Sequence, residues 1–415
     1  MKAEKIQQYA ESIAAHIEEH ESLINRPGLF LGRYGQLLLY AYLYEFYQKE
    51  AYAEKVYTLI AISLEELEDS ISRHEAIDMT LGSGLSGFLW VLHHLISNHM
   101  LDESLDELID ENLQKLVLKS TEVDMGDHNY DPLYGYIGKC AFLLQQKDKD
   151  FGRKGLEQLI ASLHDTKVLD EKGNYTWVDV RRQDRSSINY SRHIMYDCGL
   201  AHGVAGIISF CCDIYQQVED VTLRGQTEDL IRKASLWLLD QENPEGDFRF
   251  PYAKFQDAKQ PENDRYYARL GWCYGDICVA FTLSKAGKTL SSADFTDHAL
   301  RIALSSTAIK KEMSGVVKED LSVDPSFCHG TCGIAYIYLK LYESLADERL
   351  HKAYTYWKEI TEEEMDYCLE NHSLHSNLSM AQEDFGFLYG YVGLGLVNLS
   401  LEQEKSAAWD KLLLL

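Results

Sequence analysis

A glycine pair followed by an apolar run recurs seven times along this chain. The copies read "GRYGQLLLYAYLY" from Gly32, "GLSGFLWVLHHL" from Gly84, "GYIGKCAFLL" from Gly135, "GVAGIISFCC" from Gly203, "GDICVAFTL" from Gly275, "GTCGIAYIYL" from Gly330 and "GYVGLGLVNL" from Gly390. The pattern is G-x-x-G, except that Cys278 stands where the fifth copy's second glycine belongs. A repeat in fixed register constrains a fold more than composition does. Between the copies lie charged segments such as "AYAEKVYTLIAISLEELED" from Ala51 and "EDLIRKASLWLLDQE" from Glu228. Their apolar residues return every three or four positions, as on a helix with one buried face. Each repeat therefore predicts an amphipathic outer helix, a loop, and an apolar inner helix that starts at the glycines.

With only six prolines and few alternating stretches, the chain is predicted to be all-α. An open solenoid is the rival architecture. Ordinary solenoid repeats run ~33–47 residues, whereas these recur at intervals of 51 to 72 residues. The glycines also suit close backbone approach at a crowded centre. The expected fold is an α/α toroid, a double ring of seven inner and seven outer helices, with residues 1–415 as one domain. Two polar, turn-rich stretches read as insertions at a rim. They are 166–191, with a β-like "YTWVDV", and 242–264.

Aligning the copies on their first glycine isolates candidate site residues. The residue just before it is Leu31, Ser83, Tyr134, His202, Tyr274, His329 or Tyr389, and two before it is Phe30, Gly82, Leu133, Ala201, Cys273, Cys328 or Leu388. In a closed ring these positions share one end of the inner helices. Cys273 and Cys328 thus occupy one register position in adjacent copies, and His329 stands beside them. Two thiolates and an imidazole suit zinc and leave a fourth tetrahedral position open, the ligand count of a catalytic site. A closed site of Cys273, Cys278, Cys328 and Cys332 is the competing set, but Cys278 and Cys332 fall inside the helices and read as small core residues.

His202 shares the register of Tyr274 and His329 on the preceding copy, where a general acid or base belongs; its bland alternative is a helix-start histidine. Tyr274 is either a hydrogen-bond donor beside the metal or a packing aromatic. Arg269, four residues before Cys273, is placed to meet a carbonyl oxygen or a developing enolate. Asp131 stands four before its glycine, where the other copies carry only small residues. It is either a proton-handling partner for His202 or a helix N-cap. Asp197 and Asp276 carry less weight, and His93 and His94 read as structural.

The formal charge of −26 argues against broad binding to nucleic acid or an anionic membrane and favours a neutral or basic partner. Nine scattered cysteines do not form a disulfide framework. The polar N-terminal stretch predicts no signal peptide, no segment approaches the ~18 apolar residues of a membrane span, and the closing "KLLLL" is too short to anchor anything. The expectation is a cytoplasmic protein with reduced cysteines.

"GLAHGVAG", "GWCYGD" and "FCHGTCGI", in this order and spacing, resemble the lanthionine synthetase C-like family, the cyclases of lanthipeptide (lantibiotic) biosynthesis. The resemblance covers nearly the whole chain, since all seven copies match the family's seven-repeat toroid. It implies zinc held by Cys273, Cys328 and His329, catalytic roles for His202 and Asp131, and Arg269 and Tyr274 beside the metal. Cys278 at a glycine position is the main departure. Some relatives carry a small SH2-like insertion, for which 166–191 is too short. With no room for a dehydratase domain, the chain resembles stand-alone cyclases. These act on a dehydrated precursor peptide supplied by a separate dehydratase. The implied reaction is intramolecular Michael-type addition of a peptide cysteine to dehydroalanine or dehydrobutyrine, forming a thioether ring. Two other classes stay open: a glutathione-binding, regulatory relative that holds zinc without turnover, and a zinc-dependent thiol alkylating enzyme of the protein prenyltransferase kind. A toroidal glycosidase is more distant, because no matched carboxylate pair shares a register position.

Overall fold

The computed structural model describes residues 2–108, 110–183, 191–256, 268–371 and 385–415. In chain order the helices are α1 (Lys2–Glu19), α2 (Glu21–Ile24), α3 (Arg33–Tyr47), α4 (Glu50–Ser72), α5 (Leu85–Ser97), α6 (Glu111–Gly126), α7 (Tyr136–Gln145) and α8 (Asp150–Thr166), followed by α9 (Val204–Gln217), α10 (Val221–Leu239), α11 (Asp276–Leu290), α12 (Ala293–Ser306), α13 (Thr331–Leu345), α14 (Glu348–Asn371) and α15 (Tyr391–Gln403). The seven glycine-started helices, α3 to α15 by odd numbers, form the inner ring. Each packs on the next, and α15 returns to α3, so the ring closes. Helices α1, α4, α6, α8, α10, α12 and α14 surround it. This is the expected α/α toroid.

The phase of the repeat differs from the outer-then-inner order of the sequence. Helix α3 packs chiefly on the outer helix that follows it, as do α7, α9, α11 and α13. Among the described residues no outer helix follows α15, which takes α1 as its cover. Tyr9 on α1 also donates to Asp366 Oδ1 of α14 (2.6 Å).

Why glycine starts every inner helix is visible in the loops before them. The first helical N–H turns back to the carbonyl seven residues earlier, as in Leu85 to Asp78 (2.8 Å) and Tyr136 to Asn129 (2.9 Å). A Cβ on Gly84 would lie 2.3 Å from that same Asp78 oxygen. The second glycine admits another carbonyl of the loop onto the first turn: a Cβ on Gly333 would lie 1.7 Å from Phe327 O.

The loops are linked to one another around the mouth. Phe30 N–H donates to Gly82 O (3.0 Å), Gly82 to Leu133 (2.9 Å), Leu200 to Cys273 (2.9 Å), Trp272 to Cys328 (3.0 Å), Cys328 to Leu388 (2.8 Å) and Phe387 to Phe30 (2.8 Å). Among the described residues the circle lacks one link, between the third and fourth copies. Pro132 has no N–H to give, and Leu133 N–H is taken by Asp131 Oδ1 (2.9 Å).

The far end of the ring is filled by a short 3₁₀ turn, Ala408–Leu413. The closing leucines, dismissed as an anchor, are core residues: Leu413 is fully buried, and its carbonyl accepts from the Trp272 indole (3.0 Å). The β-like part of the first insertion is a small hairpin, β1 (Val168–Leu169) with β2 (Tyr175–Thr176); β3 (Met195–Asp197) pairs with β4 (Ala253–Phe255). Residues 184–190 and 257–264 of the two insertions lie outside the described residues. No described helix is long and apolar enough to cross a membrane.

Candidate metal centre

The loops that start α11 and α13 carry the donors. Trp272 and Cys273 N–H groups both donate to Cys328 O (3.0 and 3.3 Å), which draws the loops together. The sulfurs of Cys273 and Cys328 and a ring nitrogen of His329 all lie within 4.8 Å of one another. Both cysteines are buried. A hydrogen bond shared with Cys328, with His329 and Arg269 nearby, holds the Cys273 thiol well below its usual range; Cys328, its partner, is pushed well above. His329 Nε2 is buried without a hydrogen bond, 3.6 Å from Asp324 Oδ2. Two thiols, an imidazole backed by a carboxylate, and an open side fit a zinc ion with three protein ligands. Cys278 and Cys332 are fully buried in the helices and stand apart from this cluster, as the core reading expects.

The open side faces a cavity of about 540 Å³ that also receives His202, Arg269, Tyr274 and Tyr389. His202 Nδ1 lies 2.7 Å from Asp131 Oδ2. Burial alone lowers the pKa of this imidazole, but the charge and hydrogen bond of Asp131 outweigh it and raise His202 above its ordinary value. Burial likewise pushes Asp131 up, yet His202 and Arg181 bring it below the usual carboxylate range. Asp131 is not the helix N-cap, a place held by Gly135 without a side-chain bond, but it does make contact with His202. Oδ1 caps the turn by accepting from Leu133 and Tyr134 N–H, and Oδ2 meets His202. This side-chain contact spans the junction where the backbone circle lacks its link.

Arg269 is exposed at the rim, its guanidinium donating to Gly315 O (3.3 Å). Tyr274 is partly buried, and its hydroxyl donates to Asp197 Oδ2 (2.8 Å), so the phenol is committed to a carboxylate that sequence reasoning had set aside. Burial, then the neighbouring Asp179, push Asp197 up to about 6 against the pull of Arg181. The signal was in the register. Contrary to the expectation that no carboxylates share a register position, Asp78, Asp197 and Asp324 each stand six residues before an anchor glycine, and each accepts the N–H two residues on (2.8, 2.8 and 2.9 Å). The second oxygen of Asp197 accepts from Tyr274, and that of Asp324 lies 3.6 Å from His329 Nε2. Arg181 and Asp179 lie in an insertion outside the register and left no such signal.

Asp276 accepts from Arg249 and Phe250 N–H and secures the second insertion. His94 stacks on Trp90 (4.8 Å) and meets Tyr42 (3.0 Å); burial holds it neutral, with a pKa near 3. His93 lines a separate cavity with it. Among the described residues one further donor group, His16, Glu19 and His20, ends α1, where its imidazoles pack on Phe385 and Tyr391 outside the main cavity.

The sequence model of lanthionine synthetase C-like proteins matches residues 24–414. Among solved structures, one titled nisin cyclase superposes with a TM-score of 0.75 at 19% identity, covering 99% of this chain and 97% of its own. The repeat, its register and the family match agree: the chain belongs to the lanthionine synthetase C-like family.

Proposed function

We propose that this protein is a zinc-dependent lanthionine synthetase, which closes thioether rings by adding peptide cysteines to dehydroalanine or dehydrobutyrine. The observation that carries this is one cavity holding a thiol-imidazole donor set, Cys273, Cys328 and His329, opposite a carboxylate-backed histidine, Asp131–His202. Zinc held by the three donors would bind the substrate thiol and displace its proton, which is ordinarily lost only near pH ~8.5.

The new C–S bond forms at the β-carbon of the dehydro residue as the alkene electron pair moves toward the carbonyl. The resulting enolate needs a proton at its α-carbon. His202 supplies it: Nδ1 is held by Asp131, leaving Nε2 for the substrate, and the raised pKa keeps the ring protonated further toward neutral pH. Arg269 faces the developing enolate oxygen from the rim. Tyr274, engaged with Asp197, orients that wall of the cavity. The dehydrated precursor comes from a separate dehydratase, and reduced cytoplasm is the setting in which Cys273 and Cys328 keep their thiols.

Zinc quantitation with a cyclisation assay on a dehydrated model peptide tests the reading. Cys273→Ala should lose the metal and the activity together. His202→Ala should keep the metal and lose turnover, by a factor of about 10²–10⁴. Full zinc occupancy in Cys273→Ala, or wild-type turnover in His202→Ala, rejects the assignment. Wild-type protein that binds zinc and glutathione but never cyclises the peptide points to the thiol-binding class.

A further inference from the structure

We infer that Arg181, brought into the mouth by the 166–191 insertion, is a positioning residue that joins the Asp131–His202 and Asp197–Tyr274 pairs into one network and sets the proton affinity of His202. Its relevance to ring closure rests on the function proposed above; its effect on His202 does not.

The geometry is specific to arginine. One terminal nitrogen lies 2.7 Å from Asp131 Oδ2, the same oxygen that meets His202. The other edge of the fork, Nε and the second terminal nitrogen, holds both oxygens of Asp179 at 2.9 and 2.8 Å. Asp197 Oδ2 lies 3.9 Å away. All three carboxylates are essentially buried, at 1, 1 and 0% exposure. Buried carboxylates persist only with paired charge, and a planar fork answers several at once where an ammonium cannot.

Asp179 supports the arrangement locally. It accepts from the Arg181 backbone N–H (3.1 Å) as well as from the side chain, so the turn that carries the arginine is built around its own counter-ion. The titratable groups around His202 come from several elements, and Tyr252, Arg269, Cys273, Cys328, His329 and Tyr389 line the same cavity. Asp131, Tyr130 and Tyr134 come from the loop before α7, Asp179, Arg181 and Arg182 from the insertion, Asp197 from β3, and Tyr274 from the loop before α11. Of these, Arg181 is the cation bonded to the carboxylate that holds His202. Withdrawing it leaves the three carboxylates facing His202 with less opposing charge, and each proton bound in the cluster is held more tightly.

The test is the titration of His202 in the full, zinc-loaded chain, followed by NMR of the imidazole and assigned by its loss in His202→Asn. In Arg181→Gln the midpoint should move upward from wild type. Arg181→Lys, which keeps the charge and loses the fork, should return it toward wild type while lowering kcat for the model peptide with KM unchanged. A midpoint that stays put or falls in Arg181→Gln overturns the inference. So does an Arg181→Lys protein with wild-type kcat, which also decides the matter should the glutamine variant not fold. A wild-type protein that never cyclises the peptide removes the proposed function but leaves the titration result standing.

Discussion

Asp197 illustrates how a turn-forming residue becomes part of a site. One oxygen closes its turn on Gly199 N–H, and the other is buried against Tyr274 with Arg181 nearby. Its pKa of about 6, against the ordinary 3.8, carries a sign that can be checked. Between those two values the folded chain holds a proton that the unfolded chain has released, so this group makes stability fall as pH rises through that window. Asp197→Asn should remove that slope and gain stability relative to wild type toward pH 7, read by urea unfolding across the window. An unchanged slope would mean that Asp197 does not carry the proton. What was legible at this scale was whatever the ring placed in register: Cys273, Cys328, His329 and His202 stand out because symmetry equates their positions. Tyr274 was found in the same way, but the partner of its hydroxyl was not, since a residue's register does not say which way its side chain turns.

At the scale of the element, the glycine pair and the loop that folds over it form one unit. Phe327, whose carbonyl lies against Gly333, immediately precedes Cys328. Gly333→Ala should therefore cost about 1–3 kcal/mol of stability, as overpacking does, and should also weaken zinc binding by displacing the ligand loop. Stability lost with zinc affinity untouched would show that the loop moves independently of its ligands. The fifth copy shows what a departure from the pattern entails. Cys278 replaces the second glycine, and in that copy alone the anchor, Gly275, takes a positive φ of 96°. The departure was legible in the sequence; its backbone counterpart was not, because Gly275 looks like every other anchor until the loop is built. The insertions were legible only as interruptions. Arg181 meets its neighbour Asp179 together with Asp131 and Asp197 from distant elements, and no local pattern encodes the last two.

Across the whole molecule, α1 covers α15 at the point where the ring closes on α3. The seven-fold architecture could be read from the repeats, but this exchange of partners could not, because both phases of the repeat give the same helix order. Removing residues 1–20 should expose the outer face of α15 and weaken the whole ring. Urea unfolding should shift to a lower midpoint, and the truncated chain should lose zinc affinity at the mouth, some distance from the cut in sequence. A truncated protein with the wild-type midpoint would show that the ring is sealed without α1. The same feature bears on how the protein is made. At synthesis rates of roughly 5–20 residues per second, α1 leaves the ribosome tens of seconds before α15 exists. Its apolar face, with Tyr9, Ile13 and Ile17, must wait for its partner while the residues between the two helices are made. Helix α1 can dock on α15 only after the residues between them have been made, so its apolar face goes without that cover for the whole of that interval.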